Sequence, residues 1–132
     1  MSSVAAQSSA ELLSGRRVLI VEDEMLIAFT LSDMVAGLGC TSQVAGRVAQ
    51  ALLLATTQTF DVAVLDVNLA GESGYAVADA LALRGVPFVI ATGYGPEGIE
   101  APYRHHPLLS KPYLPRQVEM ALLNALRPVA TA

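Results

Sequence analysis

A single cysteine, Cys40, stands in the whole chain. No internal disulfide can form, and a small buried residue is the simplest reading for it. No apolar stretch reaches 18 residues without polar interruption, so no membrane-spanning helix is expected. Met1–Ser14 carries no basic cluster followed by an apolar core, so it does not read as a secretory leader. Basic residues are few: 8 Lys and Arg against 12 Asp and Glu, for a net charge of −4. They are also scattered. Neutralising nucleic-acid phosphates needs grouped Lys and Arg, so direct nucleic-acid binding is not expected. No Gly-x-x-x-x-Gly-Lys loop is present to hold a nucleotide, and no internal repeat is visible. The cytoplasm is the expected compartment.

Apolar residues, by contrast, make up 53% of the 132. That excludes disorder and suits one domain with a real core. Residues 1–14, rich in Ser and Ala, are expected to form a flexible tail, with at most a helical turn at Ala10–Leu13. Residues 15–128 form the folded domain and 129–132 a second tail. Val18–Val21 is a continuous apolar run, β-branched at three of four positions, as in a strand buried on both faces. From Met25 the period changes: Ile27, Leu31, Met34, Val35 and Leu38 lie on one helix face, and Gly39 suits its end. A strand at Thr41–Val44, a helix at Arg47–Thr57 and a strand within Phe60–Val67 follow. Gly71 and Gly74 mark a loop before a helix at Tyr75–Leu83. Pro87–Thr92 is the fourth strand and Leu108–Leu109 a minimal fifth. Pro115 fits the first turn of a last helix that Pro128 stops.

Strands alternating with helices imply a parallel sheet with right-handed crossovers. The expected fold is α/β, flavodoxin-like and doubly wound, with five strands in the order 2-1-3-4-5. Between strands four and five, Gly93, Gly95, Pro96, Gly98 and Pro102 crowd ten residues. The fourth helix is therefore expected to be short or disordered.

Chemistry-bearing residues follow the strands. Glu22 and Asp23 follow the first, Asp66 ends the third, Thr92 ends the fourth, and Lys111-Pro112 follow the fifth. In a parallel sheet those ends share one edge, and the order reverses between strands one and three, where ligands bind. Crowded carboxylates repel by on the order of 4 kcal/mol per pair at ~4 Å and an effective dielectric near 20. A cation relieves that. Mg²⁺, with Mn²⁺ as a substitute, suits Asp23 and Asp66 directly, Glu22 through water, and the main-chain carbonyl of Asn68. A carboxylate can capture phosphorus as an acyl phosphate, so Asp66 is the expected phosphoacceptor. Lys111 and the Thr92 hydroxyl would bind phosphoryl oxygens. Asp61, at the start of its strand, belongs to the opposite edge.

These residues resemble a bacterial response-regulator receiver domain, the phosphoacceptor half of two-component signalling. The similarity covers about Arg16 to Arg127. It rests on Val-Leu-Ile-Val-Glu22-Asp23-Glu24, Val-Leu-Asp66-Val-Asn68-Leu, Ile-Ala-Thr92-Gly and Leu-Ser-Lys111-Pro112-Tyr. The resemblance implies phosphorylation on Asp66, a metal site at Glu22 and Asp23, and a cis Lys111–Pro112 bond. Three departures stand out. Leu108 occupies the place of an aromatic switch, the fourth helix is weak, and Ala70 replaces a usual proline. With Ala91-Thr92-Gly93, these make the chain similar to the atypical FAT GUY receivers, often stand-alone and serving alphaproteobacterial stress or sensory phosphorelays.

A receiver without an effector acts through partners. The implied donors are a histidine kinase or a histidine phosphotransfer protein, with an unknown downstream protein as output or a phosphate sink. It is not expected to be an enzyme beyond phosphorylation and dephosphorylation of its own Asp66. Tyr94, two residues after Thr92, is expected to shield the acyl phosphate, and Gly93–Pro107 to order when Asp66 is phosphorylated. The alternatives are an aspartyl-phosphate phosphatase or phosphotransferase and a phosphorylation-independent binding module. The first lacks a second acid where Asn68 stands. The pair His105-His106 lacks further ligands at metal spacing.

Overall fold

The computed structural model describes residues 8–93 and 98–127. Five parallel strands form the central sheet: β1 (Arg17–Val21), β2 (Thr41–Ala45), β3 (Val62–Asp66), β6 (Phe88–Thr92) and β7 (Leu108–Ser110). Their order is β2-β1-β3-β6-β7, which is the expected 2-1-3-4-5. Register is continuous across the centre, with Ile20 opposite both Val44 and Val64, and Leu65 opposite Ile90.

Successive residues of a strand point to opposite faces, and here each face meets its own helical layer. Val18 and Ile20 of β1 pack with Ala28, Leu31 and Val35 of α2 (Met25–Gly37) and with Val118 and Leu122 of α5 (Pro115–Leu126). Leu19 and Val21 pack instead with Ala51 and Ala55 of α3 (Val48–Thr57) and with Val77, Ala78 and Leu81 of α4 (Tyr75–Leu83). Burial on both faces explains why these strands read as unbroken apolar runs.

Two features depart from the sequence expectations, and a third meets one. Ser8–Leu13 belong to the stretch expected as a tail with a helical turn. Residues Ser9–Leu13 form a helix, α1, closed by a capping box in which Ser8 Oγ accepts the Glu11 N–H and a Glu11 carboxylate oxygen accepts the Ser8 N–H. Leu13 at its end is fully buried against the α2–α5 layer, and Cys40 Sγ donates to the Leu13 carbonyl at 3.3 Å. Ser-x-x-Glu before an apolar pair is a readable start signal, and burial of Leu13 makes the short helix worth forming. Second, the Gly71–Gly74 loop contains a two-stranded hairpin, β4 (Asn68–Leu69) and β5 (Glu72–Ser73). Third, as expected of a short fourth helix, a 3₁₀ turn spans Ala101–Tyr103 among the described residues.

That turn is anchored to α4. Tyr75 and Tyr103 stack with ring centroids 4.3 Å apart, Tyr75 Oη accepts the Glu100 N–H at 2.8 Å, and Tyr103 Oη donates to Asp79 at 2.8 Å. Ile99 is buried beneath. These contacts fall at Ile99–Tyr103, within the segment Gly93–Pro107 expected to order on phosphorylation. Tyr94 lies outside the described residues.

Candidate functional site

The expected residues meet at the C-terminal edge of the sheet. Asp66, the last residue of β3, is almost buried, and so is Thr92, the last of β6. Glu22 extends β1 by one residue, its N–H donating to the Ala45 carbonyl at 3.0 Å, and it is only 1% exposed. Asp23 follows at the rim. Lys111 enters from beyond β7, its N–H donating to the Thr92 carbonyl at 3.0 Å. The Lys111–Pro112 bond is cis, as the resemblance implied.

Lys111 Nζ lies 2.6 Å from Asp66 Oδ2 and 2.8 Å from Glu22 Oε1. Main-chain donors take other carboxylate oxygens: the Asn68 N–H bonds Asp66 Oδ1 at 2.9 Å, and the Glu24 N–H bonds Glu22 Oε2 at 3.1 Å. The Ala70 N–H bonds Asp23 Oδ2 at 3.1 Å. Burial pushes the Glu22 carboxyl above its usual range, and Lys111 and the Glu24 N–H oppose this only in part. Burial likewise works to lower the Lys111 ammonium, but its bonds to Asp66 and Glu22 prevail and hold it above its ordinary value. Lys111 stays charged and ties two acids from different strands together.

One oxygen each from Glu22, Asp23 and Asp66 lies within 4.8 Å of the others. Mg²⁺ takes oxygens at about 2.0–2.1 Å, so two direct ligands sit at most about 4.2 Å apart. The cluster fits such an ion with small adjustments, or with one acid acting through water. Glu22, already held by Lys111 and the Glu24 N–H, is the natural outer member. Three carboxylates against one ammonium also leave an excess of negative charge that a divalent cation balances. Around the cluster opens a cleft of about 600 Å³, lined by Asp23, Asp66, Asn68, Ala70, Thr92 and Lys111 among others.

Other expectations fall elsewhere. Asp61 accepts the Arg17 N–H at 2.8 Å, at the start of the strands. Leu108 is half-buried and sits opposite Ile90 in the sheet. His106 stacks on Phe88 at 4.0 Å and lies tilted against His105 at 4.1 Å. Burial, then the neighbouring His105, lowers its pKa. Sequence reasoning missed Ala70 as a partner of Asp23. Its only signal was the absence of the family's usual proline, which has no N–H to give.

Residues 18–120 match the family described as response regulator receiver domain. The phyllosphere-induced regulator PhyR of Methylorubrum extorquens is 37% identical over 115 residues, covering 83% of this chain and 43% of that protein. The solution structure of SdrG from Sphingomonas melonis Fr1 superposes with a TM-score of 0.77 at 39% identity, covering 92% of this chain and all of the other. The anti-anti-sigma factor PhyR of Bartonella quintana gives a TM-score of 0.74 at 29% identity, covering 85% of this chain and 47% of that one. The chain thus spans less than half the length of the two PhyR proteins.

Proposed function

Because this chain belongs to the response regulator receiver-domain family, we propose that it accepts a phosphoryl group on Asp66 and signals through protein contacts. The observation that carries this reading is the Asp66 carboxylate at the base of an acidic cleft, 2.6 Å from the Lys111 ammonium. A histidine kinase or a histidine phosphotransfer protein would be the donor. An Asp66 oxygen bonds to phosphorus as the donor's P–N bond breaks, and the electron pair returns to the imidazole. Little covalent help is needed for such a transfer; position and charge supply most of it.

The residues divide that work. Lys111 now clamps the Asp66 carboxylate, so a phosphoryl oxygen arriving on Asp66 replaces it as a partner of the ammonium. The Thr92 hydroxyl, lining the same cleft, donates to a second oxygen. Mg²⁺, or Mn²⁺ in its place, would be held by Asp23, Asp66 and the Asn68 carbonyl, with Glu22 through water, and would neutralise carboxylate and phosphoryl charge. Asn68 lines the cleft that hydrolytic water would enter, and the chemistry stays on the chain's own Asp66.

A protein donor needs a surface beside the cleft. The first turns of α2 leave Leu26, Phe29 and Met25 exposed directly after the two metal-site acids, and such a patch supports protein docking. One relative is named an anti-anti-sigma factor, which supports output by protein contact, although this chain covers only 47% of that protein. No described helix is long and apolar enough to cross a membrane, and a cytoplasmic site of action fits this reading.

The test is incubation with Mg²⁺ and acetyl phosphate, followed by intact mass. One phosphoryl adduct is expected for the wild type and none for Asp66→Asn. Turnover of an added phosphoester that survives Asp66→Asn would instead indicate an enzyme. No adduct under any condition would leave a binding module.

A further inference from the structure

One amide of the unexpected hairpin ends on an acid of the site. The loop between β4 and β5 is the pair Ala70–Gly71, with φ of +51° and +85°. Positive φ at both positions is what a type I′ turn requires. Glycine adopts it freely, but alanine resists it because its Cβ crowds the backbone. Among the described residues, Ala70 alone takes positive φ without being glycine. Such a conformation persists only where its surroundings impose it, and it concentrates at functional sites.

The surroundings here do impose it. Asn68 pairs with Ser73 and Leu69 with Glu72. The Gly74 N–H closes the base of the hairpin on the Val67 carbonyl at 2.7 Å. Leu69 is fully buried in the α3–α4 layer. The tip is thereby held over the cleft, and there the Ala70 N–H donates to Asp23 Oδ2 at 3.1 Å.

We propose that the Ala70 N–H is a positioning group for cation capture, the strained hairpin tip fixing the Asp23 carboxylate before the metal arrives. This rests on the receiver reading. Asp23 sits at the rim, where a side chain left to itself would sample several rotamers and lose that freedom on binding. A main-chain donor on a braced hairpin removes most of this loss in advance. It also offsets part of the repulsion among three acids within 4.8 Å. Outer partners that orient metal ligands commonly matter this much. Proline at position 70 would remove the N–H and set φ near −65°, deleting both parts of the device.

The experiment is calorimetric titration of the whole chain with Mg²⁺ for wild type, Ala70→Gly and Ala70→Pro, with thermal unfolding recorded in parallel. Ala70→Gly keeps the N–H and relieves the strain, so it should bind at least as tightly as wild type. Ala70→Pro should bind about 10- to 100-fold more weakly. If Ala70→Pro does not fold, Ala70→Val takes its place. It retains the N–H, but its β-branched side chain resists positive φ, and weaker binding is again expected. A folded Pro or Val variant within about twofold of wild type, whatever its melting temperature, overturns the proposal. Wild type that binds no Mg²⁺, or gains no Asp66-dependent adduct, would overturn the receiver reading instead.

Discussion

Lys111 is the residue on which the electrostatics of the site turn. It bonds two carboxylates, one of them the 1% exposed Glu22. Lys111→Ala would leave Glu22 buried beside Asp66 without a cation. Lys111 itself is partly exposed, so the loss should fall short of that for a fully buried pair, at about 1–3 kcal/mol near neutral pH. Its pH dependence has a definite sign. Burial raises the folded Glu22 pKa above 4.5, so the folded chain holds that proton more tightly than the unfolded one. The resulting stabilisation is fully present below the unfolded value and is lost as pH rises through the folded value. Without Lys111 the opposing influence disappears and the folded value rises further. Urea unfolding at about pH 5 and about pH 7.5 should therefore show a smaller Lys111→Ala deficit at the lower pH. An equal deficit at both would remove Glu22 from the account.

At the scale of elements, the connection from β3 to α4 does most to shape the cleft. A Cβ on Gly74 would lie 2.6 Å from the Asp66 carbonyl oxygen and 3.0 Å from Val67 Cα. Both are backbone, so neither can swing aside. Gly74→Ala should cost about 1–3 kcal/mol and slow adduct formation on Asp66, read by thermal unfolding and timed mass spectra. Gly37, in α2, meets nothing within 4 Å, and Gly37→Ala should leave phosphorylation unchanged and gain up to about 1 kcal/mol. Legibility also divides here. Two glycines announced a loop, but the hairpin inside it was hidden because Ala-Gly lacks the Asn-Gly or Asp-Gly signature of its turn. The helix α1 was legible in part, as a turn at Ala10–Leu13; its Ser8–Glu11 capping box went unread, and five residues hold a helix only with burial of Leu13.

The whole molecule places the exposed Leu26 and Phe29 next to the acidic cleft. If a histidine-phosphorylated protein docks there, Phe29→Ala should slow phosphotransfer from it by about tenfold, the loss usual for an aromatic anchor. Phosphorylation by acetyl phosphate, which needs no docking, should be unaffected. Equal loss with both donors would place Phe29 in the chemistry or the fold instead. The reaction would thus lie in the cleft at the sheet edge, and the partner on the neighbouring first turns of α2.

The amino-acid sequence by itself determined the strand order and the place of Glu22, Asp23, Asp66, Thr92 and Lys111. Apolar period and strand ends are local properties, and a parallel sheet turns them into one edge. Only the tertiary structure decided that Lys111 bridges Glu22 and Asp66, and that Ala70 holds Asp23 from 47 residues away. Neither contact has a local signature. Each depends on separate segments being braced by burial until a single donor and a single acid face each other.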